Sequence, residues 1–171
     1  MSENRPLLMR TNRLLGASLV EHNLVKIEHL EAANERLLEA VAANDRRKTS
    51  VLAIITGELK AAREEDILQH LLETESIGLI DLRNYEISDD LRKSVELADC
   101  WATWTIPFDH EENFYFVATA HYLSPAVRTH WEKKLDGHIL WYGATVDGIA
   151  DILEKIEAER VQLAGLAQAA G

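Results

Sequence analysis

Few residues in this chain of 171 have the type and spacing to do chemistry. Gly143-Ala-Thr-Val-Asp-Gly148 has the glycine spacing of a phosphate-binding loop. The next residues are Ile149 and Ala150, where that loop needs a lysine to reach phosphate and a hydroxyl to hold magnesium. No Gly-x-Gly-x-x-Gly occurs either, so nucleotide hydrolysis is not expected of this chain by itself. Asp109, His110, Glu111 and Glu112 offer oxygen ligands for a cation, but neighbours on one turn point in different directions. A solvated turn is the expectation there. His121, His130 and His138 match no zinc spacing and read as surface or core-edge histidines. Cys100, the single cysteine, excludes an internal disulfide and a cysteine-based zinc site. With no base to pair with it, it reads as a small buried hydrophobe. No catalytic residue, metal ligand or cofactor is assigned.

The composition supports a folded reading. Apolar residues are 47 % and charged residues 27 %, an ordinary globular balance. A net charge of −11 argues against a nucleic-acid binder, which gains affinity by neutralising phosphates. The negative excess falls wholly after residue 48, which suggests two units with different surfaces. No apolar run approaches the roughly 20 residues that span a bilayer, so no membrane insertion is expected. The start, Met1-Ser-Glu-Asn-Arg-Pro6, lacks the features of a secretory signal. A cytoplasmic protein is the expectation.

Residues 1–75 read as a helical subdomain. Leu14, Leu15, Leu19 and Val20 share a helical face, and Asn23 suits a left-handed turn after it. Ile27, Leu30, Ala33, Leu37, Leu38 and Val41 form a second apolar series at spacings of three and four. The polar stretch Ala43–Ser50 predicts a loop that caps a short helix of Val51, Leu52, Ile54 and Ile55, stopped near Gly57. Ile67, Leu68, Leu71 and Leu72 mark a fourth helix from about Ala62. These segments resemble one helix pair used twice. Leu19, Val20 and Leu24 match Ile54, Ile55 and Leu59 at an offset of 35, whereas Leu30 matches Ile67 at 37.

Residues 76–160 read as a small α+β domain, with the order strand, helix, strand, strand, helix, strand, helix. Ile77–Leu82 predicts a short buried strand, and Ser88 caps a helix over Asp89–Leu97. Trp101–Pro107 and Phe114–Ala120 are rich in β-branched and aromatic residues and predict an antiparallel hairpin, with Pro107 at a strand end. Ser124-Pro125 starts a helix, with the serine hydroxyl accepting a free N–H. His138–Tyr142 forms a strand, and Thr145 opens a helix with Ile149, Ile152, Leu153 and Ile156 on its apolar face. Residues 161–171 form an Ala-rich tail that extends this helix before fraying. Trp101 and Trp104 would point to opposite faces of their strand, while core packing is expected for at least three of Trp101, Trp104, Trp131 and Trp141.

Gly78-Leu-Ile-Asp-Leu-Arg-Asn-Tyr-Glu-Ile87, followed by Ile106-Pro107, Phe116-Val-Ala-Thr-Ala120 and Gly143-Ala-Thr145, resembles the N-terminal domain of type II secretion and type IV pilus assembly ATPases. The order and spacings agree from about residue 78 to 157, and the helices of residues 12–75 resemble the tandem helical segment upstream of it in many relatives. Each motif is short, so the specificity lies in their succession. The resemblance implies a docking module that engages an inner-membrane platform protein or an ATPase, with ATP hydrolysis in a separate domain. A freestanding adaptor or regulator is therefore the expectation.

Some of these domains bind cyclic di-GMP through paired helical motifs that open with Arg-Leu-Gly. In this sequence the first copy reads Leu14-Leu15-Gly16, then Leu19-Val20, with Asn23 for the central glycine and Leu37 for the closing glutamine. Arg13 is displaced by one position, about 100° around a helix. The second copy opens Thr49-Ser50-Val51. Leucine cannot replace the planar fork of arginine in reading guanine or phosphate. The favoured expectation is retained packing without the ligand; the alternative is a cyclic di-GMP sensor that uses Arg13, Leu15, Gly16 and Asn23. A partner is expected on an exposed face of the α+β domain, with the acidic surface steering a basic protein.

Overall fold

Helix α1 (Arg5–Glu21) carries Pro6 in its first turn, where a missing N–H costs no helical hydrogen bond. The computed structural model describes residues 4–170; the reading of the Met1–Glu3 start and of Gly171 lies outside them. Leu8, Thr11, Leu15 and Leu19 form the buried stripe of α1, and Asn23 takes the left-handed conformation with φ 58°. In α2 (Ile27–Ala43) the buried stripe is Leu30, Ala33, Leu37 and Ala40. Ile27 and Leu38, expected on the apolar face, lie beside it and are 50 % and 54 % exposed. Gly16 makes the α1–α2 contact close: a Cβ there would stand 2.6 Å from Leu30 Cδ1.

Ser50 caps the next helix, its Oγ accepting from Ala53 N at 3.1 Å. α3 (Val51–Ala53) runs directly into a π-helical turn, Ile54–Glu58. There Leu59 N donates to Ile54 O at 2.9 Å, and Leu24 N makes the same five-residue bond to Leu19 O at 2.9 Å. α4 (Glu64–Glu73) buries Ile67 and Leu71 and leaves Leu72 outside.

The second half is α+β, with a mixed sheet of strand order β1-β4-β3-β2. β1 (Gly78–Leu79) is shorter than the expected Ile77–Leu82 and is exposed. It pairs only with β4, and Asp81 then accepts from Arg83 N at 3.1 Å, which draws the chain into the turn Leu82–Asn84. Ser88 caps α5 (Asp89–Ser94) through Leu91 N at 3.4 Å.

The stretch expected to begin a strand at Trp101 is instead a helix, α6 (Leu97–Thr103). The strand β2 (Thr105–Glu111) starts only after Trp104, which leaves the helix with φ 50°. The order after residue 76 therefore gains a helix. A bulky residue with positive φ is unfavourable unless its surroundings hold it. Trp104 is held by burial and by a bond from Nε1 to Thr49 O at 3.1 Å. Because Trp101 is helical, strand alternation does not separate the pair: both are 1 % exposed and meet edge to face at 5.6 Å. Trp131 is equally buried, and Trp141 is half-buried.

β2 and β3 (Phe114–Thr119) form the expected antiparallel hairpin. Pro107 lies inside β2 rather than at its end; β2 is an outer strand, and its register shifts between Pro107 and Asp109. α7 (Pro125–Lys134) carries β3 over to β4 (His138–Gly143), which lies parallel to it. The Ser124 hydroxyl does not cap α7; it donates to Thr11 O at 2.8 Å, tying α7 to α1. At α8 (Val146–Ala170), Thr145 Oγ1 accepts from Gly148 N and Glu64 Oε2 from Val146 N, both at 2.9 Å. Ile149, Leu153 and Ile156 of α8 are buried, whereas residues 161–169 continue the helix in an exposed position.

One hydrophobic cluster runs without interruption from Leu15 and Leu19 through Ile54 and Trp101 to Ile156. Charge fastens the two halves together outside it. Arg46 lies over the Trp101 ring at 5.7 Å and pairs with Glu157, while Arg47 reaches Asp147, Asp151 and Glu154 along one side of α8.

Candidate functional site

The pair that most resembles catalytic machinery is Ser50 and His121, with Oγ and Nε2 2.7 Å apart. Both residues are fully buried, and His121 lies in the core proper rather than at its edge. The serine oxygen is already the cap of α3, and His121 Nδ1 has no partner, so no third group orients the ring as a general base requires. Burial pushes the His121 pKa down to about 3. The ring stacks on Trp104 at 5.9 Å between centroids. Ser50 and His121 are thus members of a buried polar network. Asn12 Nδ2 donates to Thr49 O at 3.2 Å, Val51 N donates to Asn12 Oδ1 at 2.9 Å, and Thr11 Oγ1 donates to Ala102 O at 2.8 Å. This network joins α1, the start of α3 and the α6–β2 junction.

The other chemistry-bearing residues are also committed to packing. Cys100 sits in α6 rather than at a strand start, and burial pushes its thiol pKa far up. Ile149 and Ala150 are buried in α8, so the Gly143–Gly148 loop offers no group for phosphate. At the hairpin tip Asp109 accepts from the Tyr85 hydroxyl at 2.5 Å, and His110 stacks on Tyr115 at 3.9 Å. Its acidic residues therefore do not converge. Asp99 is held by Lys134 and His130 between α6 and α7; burial raises its carboxyl, but the lysine contacts bring the net shift below the usual range.

The four residues of the expected ligand motif differ in burial. Gly16 is buried against Leu30 of α2, Leu15 is buried in the core, Arg13 is exposed on α1, and Asn23 is exposed in the turn after it. In the second copy the nearest arginines, Arg46 and Arg47, are engaged with α8 carboxylates. Beside them opens a cleft of about 760 Å³ lined by Arg47, Lys48 and Arg63 but also by Glu58, Glu64 and Asp147. Its charges of both signs answer one another.

Two other features stand out. On the sheet, Phe116 is opposite Leu140, Phe114 is opposite His138 and Ala118 is opposite Tyr142, so these six share one face. Phe114 and Leu140 are each 42 % exposed. Behind them Phe116 and Tyr142 lean on Phe108 at 6.2 and 5.5 Å, and Tyr85 closes the row at 5.0 Å from Phe108. Glu111, Glu112, Lys133 and Asp136 are exposed in the segments that flank these strands. Sequence reading placed the strands but missed the patch, because half-exposure of Phe114 and Leu140 follows from what the helices leave uncovered. The second feature is a convergence of His22, His70 and Glu75, the one such group of possible metal ligands among the described residues. Its members are far apart in the chain and carried no local signal.

No family model and no curated protein sequence matches the chain. Solved structures do. A structure of MshE with cdg is similar with a TM-score of 0.53 and 19 % identity, over 83 % of this chain and 97 % of that one. The N-terminal domain of XpsE is similar in two crystal forms, with TM-scores of 0.53 and 0.50 and identities of 15 % and 17 %. Those matches cover 84 % and 81 % of this chain and 94 % and 90 % of theirs. Identities this low carry the fold and not the residues of a site. The expectation drawn from the succession of short motifs holds at that level: the chain has the fold of the N-terminal domain of XpsE and of the matching part of MshE.

Proposed function

We propose that this chain is a protein-docking module that performs no bond chemistry, and that its partner is a platform protein or an ATPase of a secretion or pilus machine. The observation that carries the reading is the shared fold with the XpsE N-terminal domain over most of both chains. The burial of Ser50, His121 and Cys100 supports it. The proposed contact surface is the sheet face around Phe114 and Leu140, where apolar side chains are exposed. The net charge of −11 favours a basic partner and accelerates its approach. Among the described residues no helix is long and apolar enough to cross a membrane, and a cytoplasmic location is part of the proposal.

The test is capture of the cytoplasmic part of a platform protein, or of an ATPase, by the full chain and by Phe114→Asp and Leu140→Asp variants. The variants are expected to bind at least about tenfold more weakly, as loss of central apolar anchors does. Absence of binding to either class of partner, or variants that bind as well as the parent, counts against the reading.

A second reading is a cyclic di-GMP sensor, favoured by the similarity to MshE, whose structure holds cdg. The exposed positions of Arg13 and Asn23 leave them free to meet a ligand, and the burial of Leu15 and Gly16 limits those two to shaping the helix pair. Calorimetry with cyclic di-GMP decides it. Saturable heat that Arg13→Ala abolishes supports the sensor, and no heat at high micromolar ligand removes it.

A further inference from the structure

His22, His70 and Glu75 meet where two helices end. His22 follows the last residue of α1, His70 lies in the last turn of α4, and Glu75 stands just past that helix. His22 Nε2 is 3.9 Å and His70 Nε2 is 3.7 Å from Glu75 Oε1. The three ligand atoms all fall within 4.8 Å of one another, and the two rings meet at 4.9 Å between centroids.

Without a cation this cluster is poorly satisfied. His22 Nδ1 is 2.8 Å from the Ser18 carbonyl oxygen, a contact that requires the proton on Nδ1. In the neutral ring Nε2 then carries a lone pair beside a carboxylate, so two acceptors face each other with no hydrogen between them. His70 Nε2 is buried without a hydrogen-bond partner, and 3.7 Å is too long for a bond to Glu75. A metal ion satisfies all three groups at once. Tetrahedral zinc with bonds of about 2.1 Å holds its ligand atoms about 3.4 Å apart, so the contacts of 3.9 and 3.7 Å to Glu75 close with small movements, and the two imidazole nitrogens, within 4.8 Å of each other, close with side-chain rotation.

The surroundings favour the same occupant. The Ser18 carbonyl supplies the outer hydrogen bond that fixes the tautomer and direction of a ligating imidazole. Both α1 and α4 present their C-terminal ends, whose partial negative charge attracts cations. Two imidazoles and one carboxylate suit zinc and its first-row neighbours rather than calcium or magnesium. The side chains of His22 and Glu75 remain 34 % and 29 % exposed, which leaves an entry path and room for water as a fourth ligand. We propose that His22, His70 and Glu75 bind one Zn²⁺ ion per chain, joining the end of the first helix to the end of the fourth.

Titration of the full chain with Zn²⁺, followed by calorimetry and thermal melting, tests this. Co²⁺ serves as the spectroscopic probe, since tetrahedral coordination gives intense visible bands. The expected result is one saturable site, a raised melting temperature with zinc, and affinity at least about tenfold lower in His22→Ala, His70→Ala and Glu75→Gln. His110→Ala and His138→Ala, changed at exposed histidines elsewhere, are expected to bind as the parent does. If His70→Ala loses helix content, the His22→Ala result decides, because that side chain is a third exposed. Absence of saturable binding, or binding that survives His22→Ala unchanged, overturns the proposal.

Discussion

At the scale of single residues, most polar groups with reactive potential are used for folding. His121 shows the consequence most clearly. Its folded pKa of about 3 lies below the ordinary histidine value near 6.5, because burial penalises the charged ring. An unfolded chain therefore takes up a proton near pH 6.5 that the folded chain refuses. The stability linked to this ring is fully present above about pH 6.5 and is lost as the pH falls toward 3. Urea melts should show the advantage of the parent over His121→Gln shrinking by about 1 kcal/mol per pH unit below 6.5. A constant difference across that window would show the ring to be protonated in the fold. Ser50→Ala removes both the cap of α3 and the partner of His121, and is expected to cost about 1–3 kcal/mol at neutral pH. Cys100 is fully buried with a raised pKa, so thiol reagents should label it only as fast as the chain unfolds. Rapid labelling of the native protein would show that α6 opens locally.

At the scale of elements, the helical segment is attached to the helices of the second half at two places. α1 reaches the second half through Thr11, which donates to Ala102 O and accepts from Ser124 Oγ. The turn Arg46–Lys48 reaches α8 through Arg46 and Arg47. Arg46 adds its contact with the Trp101 ring, whereas Arg47 works through partly exposed ion pairs that solvent screens. Arg46→Ala should therefore cost about 1–2 kcal/mol, and Arg47→Ala less than about 1 kcal/mol. Denaturation in high salt separates the two: the effect of Arg47→Ala should largely vanish, and that of Arg46→Ala should persist in part.

At the scale of the whole molecule, the net charge of −11 and the apolar sheet face around Phe114 and Leu140 make one combined statement about partners. Charge governs the approach, and apolar contact governs how long the complex lasts. Binding to a basic partner should weaken as salt rises through about 0.1 M, where the screening length is roughly 10 Å, mainly through slower association. Phe114→Asp should act mainly on dissociation. Association rates that ignore salt would assign the interface to apolar contact alone.

Helix identity, capping residues and the hairpin were legible in the chain because their causes are local. Ser50, Ser88 and Thr145 cap the helices that follow them, and Asn23 takes its left-handed turn, for reasons contained within a few neighbouring residues. Trp101 was misplaced because its aromatic neighbours suit a strand, and only burial against α1 and α8 makes α6 the better solution. The sheet patch and the convergence of His22, His70 and Glu75 were invisible for a related reason. Exposure and convergence depend on which surfaces remain after distant segments pack, and no local spacing records that. The sequence by itself therefore determined the α+β class, the net negative charge and the resemblance carried by a succession of short motifs. The tertiary structure alone decided which side chains meet, because such meetings are set by long-range burial rather than by chain periodicity.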